Sequence, residues 1–189
     1  MPNWCYTSYI IEGKKEEVES LYRIMKELQE MKDPGLCKND FGSSWMGNLV
    51  VKLGGDWNKV YCRGDWEDLN LLGELRFSVE SAWNELSEVR GLIQEKFPSL
   101  EIYYFSEEEG MGIFETNDHE GRHFDFKYKL WVETEGGTDY INSLDRLIQE
   151  IKRITGFIDL KTFEDCQKAL DLSFEDSDIS YSLDQINII

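Results

Sequence analysis

The sequence has no apolar run approaching the roughly 20 residues that span a bilayer. Its first residues, MPNWCYTS, lack the basic segment followed by an apolar one that marks a signal or transit peptide. Neither a membrane protein nor an exported one is expected, and a cytoplasmic location is. Cysteine is sparse: Cys5, Cys37, Cys62 and Cys166 are too irregularly spaced for a zinc knuckle or a redox CxxC, so reduced thiols are expected. No G-x-S-x-G, Walker loop or G-x-G-x-x-G occurs, and there is no low-complexity linker. Positive charge is also short. The 20 Lys and Arg stand against 38 Asp and Glu, a formal charge of −18, which argues against nucleic-acid binding, because affinity for phosphate backbones comes largely from Lys and Arg displacing counterions. The deficit is uneven. Residues 1–106 carry 18 acids against 12 bases, net −6, whereas residues 107–189 carry 20 against 8, net −12, and no base follows Lys168. That excess reads either as solubility or as a negative surface offered to a basic partner.

What is present is strong secondary-structure patterning. Arg76 to Ser81 alternates polar and apolar as a half-buried strand does, and Ile102 to Phe105 is an aromatic, β-branched run suited to a pleated surface. Between them Trp83, Leu86, Val89, Ile93 and Phe97 recur at helical spacing, with Glu85, Glu88, Arg90 and Lys96 predicted to face water and Pro98 to end the helix. Earlier, Tyr6 to Ile11 predicts a strand, and Lys14 to Lys32 a helix stopped by Asp33-Pro34-Gly35. Leu49 to Leu53 predicts a second strand, followed by a polar, Trp-bearing insert from Asp56 to Gly73. The order β-α-β-(insert)-β-α-β predicts an α+β fold of ferredoxin-like type, an antiparallel sheet with helices on one face. Gly112 to Thr116 and Phe124 to Glu133 predict a hairpin that continues the sheet. Ile141, Leu144, Ile148 and Ile151 predict a further helix closed by Gly156, and residues 162–170 another. The expected organisation is a core over residues 1–118 with an extension over 119–189 packed on it, ending in an acidic tail.

Chemistry-bearing motifs are few. His119-Glu120-Gly121-Arg122-His123 matches H-E-x-x-H, the zinc-peptidase pattern, which needs a helix to bring both imidazoles to one face. Here it lies in turn-prone sequence between two predicted strands. His119 and His123 are the only histidines, so an exposed hairpin loop is expected rather than a metal site. Glu107-Glu108-Glu109-Gly110 could pair carboxylates but reads as a solvated strand end. The six tryptophans mostly sit beside Asn, Gly or Asp, as loop-edge residues that line a binding surface or cap a small core.

Met1-Pro2-Asn3-Trp4-Cys5 opening a strand, Trp66-Glu67, Phe77 through Ser81-Ala82-Trp83, Phe97-Pro98-Ser99-Leu100 before a strand, and the Tyr104 to Glu109-Gly110 segment carry a resemblance. Over roughly residues 1–118 the chain resembles the YubB-type ferredoxin-like domain family of bacterial plasmids, phages and mobile elements. It departs at Thr7, where that family usually has Asn, and at Asn84-Glu85. The resemblance implies the ferredoxin-like fold and a bacterial source but no activity. The expected function is a non-catalytic interaction module, not an enzyme, without a cofactor and with a binding surface built from Trp4, Trp57, Trp66, Trp83, Tyr104 and Glu109. Its expected partner is a protein or small ligand, with no membrane or nucleic acid involved and a monomer as the simplest state. The alternatives are an acidic DNA mimic that inhibits a basic host protein and, less favoured, a zinc-dependent hydrolase through HEGRH.

Overall fold

Strand periodicity on either side of residues 83–100 builds the centre of the first half of the chain. The computed structural model describes residues 3–32, 36 and 41–189, and the chain divides into two compact units, Met1–Asp118 and His119–Ile189. The architecture is α+β. In the first unit the order is β1 (Trp4–Glu12), α1 (Lys15–Glu30), α2 (Met46–Lys52), β2 (Gly64–Leu72), β3 (Glu74–Ala82), α3 (Ser87–Lys96), β4 (Glu101–Glu108) and β5 (Ile113–Thr116). The strands lie in the order β2-β3-β1-β4-β5. β3 and β4 each run antiparallel to β1, so the two strands joined by α3 are parallel to one another with β1 between them. Period-two alternation sends Tyr9 and Ile11 of β1 to the helix side, where they join Val18, Leu21, Met25 and Leu28 of α1 and Val89 and Ile93 of α3 in one core. Among the described residues, no helix is long and apolar enough to cross a membrane.

Several expectations change. Leu49 to Leu53 is not a strand: Met46, Leu49, Val50 and Leu53 are buried at spacings of three and four, on one face of α2 and its C-terminal residue. The second strand lies inside the expected insert. As an edge strand, β2 buries Gly64 and Trp66 while Asp65 and Glu67 face outward, and a register shift between Glu67 and Asn70 breaks its alternation, with Asp68 at φ 53°. The helix predicted from Trp83 begins only at Ser87. Trp83 sits before it at φ 75°, its N–H donating to the Asn3 carbonyl at 2.8 Å. Glu85, predicted to face water, is 6% exposed. The Asp33-Pro34-Gly35 stop, Cys37, Met1 and Pro2 lie outside the described residues.

The second unit has its own sheet, with β6 (Tyr128–Val132) between β7 (Gly137–Ile141) and β8 (Tyr181–Gln185), both antiparallel to it. The expected hairpin is therefore absent: β5 pairs with β4, whereas β6 belongs to this second sheet. The alternation from Phe124 to Val132 overstated the strand, because Phe124 and Phe126 precede it and meet each other edge to face at 6.0 Å. α4 (Leu144–Thr155) is capped by the Ser143 hydroxyl, which accepts from Arg146 N–H, and ends at Gly156 with φ 75°. α5 (Phe163–Phe174) opens on a capping box between Thr162 and Asp165. Leu147, Ile151, Cys166, Ala169 and Leu170 of these helices close over Leu130, Val132 and Leu183. β8 supplies the order that the acidic tail needed from packing.

Candidate functional site

In the first unit the segment before α2 and the segment before β2 face each other across a cleft of about 380 Å³. Trp45 forms one wall. Its backbone bridges to Asp65 of β2, and its ring lies against Gly47, where an added Cβ would come within 2.2 Å of the indole. Trp57 meets Trp45 edge to face with centroids 5.4 Å apart, and Phe41 lies on Trp45 at 4.7 Å. The loop that carries Trp57 is held by short-range bonds: Asp56 accepts from the Asn58 N–H at 3.0 Å, and Lys59 and Val60 N–H donate to the Asp56 carbonyl. Tyr61 closes the cleft, its hydroxyl donating to the Ala82 carbonyl at 2.7 Å and its N–H to Glu88 Oε2 at 2.6 Å. Burial holds the Tyr61 phenol above its ordinary pKa, and the Arg63 charge opposes that shift. Lys59 and Arg63, both exposed, complete the rim.

A separate polar network lies between α3 and the sheet. Glu85 accepts from the Tyr9 hydroxyl at 2.8 Å and from Arg90 Nε at 3.0 Å, and the Arg90 guanidinium stacks over the Tyr104 ring at 4.9 Å. Burial, then the Glu85 carboxylate, pushes Tyr9 well above the usual tyrosine range, and burial with the Glu85 and Glu115 charges pushes Tyr104 up to about 12. The two phenols therefore stay protonated near neutrality. Cys5 is buried among hydroxyls, 3.0 Å from Ser106 Oγ and 3.8 Å from Thr7 Oγ1, and burial raises its pKa, the opposite of what an attacking thiolate needs. Glu108 accepts from the N–H groups of Gly110 and Met111 and so shapes the β4–β5 turn. His119 and His123 lie in turn and bend backbone with Gly121 at φ 64°, so no helix brings the two imidazoles to one face.

The sequence-predicted surface residues do not gather. Trp57 lines the cleft. Trp66 is 2% exposed in the core, its Nε1 finding no acceptor among the described residues. Tyr104 is 1% exposed beneath Arg90. Trp4 and Trp83, at 48% and 42%, stand exposed where β1 and β3 end side by side, Trp4 paired with Ala82. Glu109 is exposed at the β4–β5 turn. Cleft residues absent from the predicted surface include Phe41, Trp45, Tyr61 and Arg63. Trp-Met-Gly at 45–47 was the available signal, an aromatic ring two residues from the one residue type that lets it lie on the backbone.

No family model matches the chain, and no curated protein matches it. Among solved structures it is similar to one described as the crystal structure of an unknown protein from Galdieria sulphuraria. That chain is 10% identical, with 96% of this chain and 97% of the other covered and a TM-score of 0.25.

Proposed function

We propose that the chain is a non-catalytic binding module and that its recognition site is the aromatic cleft between Trp45, Trp57 and Tyr61. The observation that carries this reading is the Trp45–Trp57 edge-to-face pair, set in an open cleft whose loop is fixed by local hydrogen bonds and so needs little ordering on binding. We read the first unit as ferredoxin-like, of the kind the YubB-type resemblance implies. The strand order β2-β3-β1-β4, with α1 and α3 packed on one face, supports that reading.

Ligand-observed NMR with a library of small aromatic compounds tests the site at about 50 mM and about 500 mM salt, since exposed charges are screened beyond about 8 Å at physiological ionic strength. Ligands that persist at high salt and are lost in Trp57→Ala are the expected result. If the compounds fail to bind and the chain instead captures only basic proteins, released at high salt, recognition rests on the acidic surface and the cleft reading is wrong.

A further inference from the structure

The cleft has apolar walls, but its rim is not neutral. Lys59 and Arg63 stand at its mouth in a chain of formal charge −18. The neighbouring acids are engaged. Asp56 accepts from the Asn58 N–H and side-chain amide and lies 3.7 Å from Lys59, and Glu88 accepts the Tyr61 N–H from the first turn of α3. Arg63 differs: it is exposed and, among the described residues, forms no ion pair, although acids outnumber bases 38 to 20. A guanidinium left open beside a ring-lined cleft is a fork for a planar anion. The cleft volume of about 380 Å³ lies near the small end of the roughly 300–1,000 Å³ that small-molecule sites occupy, which suits one or two fused rings with a short head rather than an extended peptide. The surrounding negative field penalises a multiply charged head more than a singly charged one, which favours carboxylate over phosphate.

Resting on the binding-module reading above, we infer that the ligand is a small aromatic carboxylate, its ring against Trp45 and Trp57 and its carboxylate on Arg63. Three probes that share one ring and differ in the head group test this on the intact chain: indole-3-acetate, indole and tryptamine, titrated by calorimetry and by backbone amide shifts. Indole-3-acetate should bind at least about tenfold more tightly than indole, as a charge-assisted pair provides, and tryptamine more weakly than indole. The shifts should centre on Tyr61 and Arg63. Arg63→Gln, at an exposed position that does not threaten folding, should bring indole-3-acetate to the level of indole and leave indole unchanged. Equal affinity for the three probes, or no effect of Arg63→Gln, overturns the carboxylate assignment while the aromatic cleft stands. No binding by any probe up to about 10 mM, an affinity below about 3 kcal/mol, overturns the assignment and the cleft together.

Discussion

A methyl group at position 47 has nowhere to go, because the Trp45 ring occupies the space a Cβ would take. Gly47→Ala should therefore cost about 1–3 kcal/mol by overpacking and displace Trp45 from the cleft wall, lowering ring affinity in the same titrations. Denaturant unfolding measures the first effect and calorimetry the second. Glu85 gives a contrasting residue-scale prediction. It is buried, and its removal leaves Arg90, whose side chain is only 25% exposed, without its ion-pair partner, so Glu85→Ala should destabilise by about 3 kcal/mol in equilibrium unfolding. A loss no larger than that of a surface substitution would show that the pair contributes little. At this scale the sequence misled in a consistent way. Glu85 and Arg90 fell on the polar side of a helical wheel drawn from Trp83. Because the helix begins at Ser87, Glu85 lies outside that wheel and turns inward to Tyr9.

Two elements exchanged places between sequence and structure, each for a physical reason. A five-residue run, apolar but for Lys52 and ended by Gly54, fits a buried strand or one turn and a half of buried helix equally well, and periodicity cannot choose between them at that length. The run at 49–53 is helical because four residues, Met46 to Leu53, share one buried face. β2 read as an insert because an edge strand keeps one face in water and because its bulge hides the alternation. The α3 region, α1, α4 and α5 were legible, since their apolar stripes run for at least two turns, and α4 and α5 also open on side-chain caps. The bulge also makes a prediction. Asp68 holds φ 53°, which costs a β-branched residue about 1–2 kcal/mol, so Asp68→Val should destabilise by about that amount. Asp68→Gly should change stability by less than about 0.5 kcal/mol. Equal losses in both would show that the Asp68 carboxylate, which accepts from the Ser78 hydroxyl, matters more than the backbone conformation.

For the whole molecule, charge sets the dependence of stability on pH. Burial, and then the charges of Glu80 and Glu67, raises Asp65, while burial and then the Glu85 charge raises Glu115. The folded state holds those protons more tightly, so their contribution is present below the ordinary values of 3.8 and 4.5 and is lost as pH rises through the folded values. Asp56, Asp165 and Asp171 are lowered, chiefly by the hydrogen bonds they accept, so their contribution is present above 3.8 and is lost as pH falls through the folded values. Together they lower stability at both ends, in acid as Asp56, Asp165 and Asp171 are protonated and toward neutral pH as Asp65 and Glu115 ionise, and calorimetric Tm across pH 3–9 should fall on both sides of a maximum. Added salt should raise Tm at pH 8, where a formal charge of −18 repels itself. A flat profile would mean that solvent screens these carboxylates in the folded chain. Trp66 allows these transitions to be followed without a label. An indole sealed in the core, its N–H finding no acceptor among the described residues, emits toward the blue, whereas Trp4 and Trp83, half in water, emit toward the red and are open to acrylamide. The blue edge of the emission band, to which the 5%-exposed Trp45 also contributes, then reports on the interior of the first unit, and acrylamide quenching reports on the exposed strand ends.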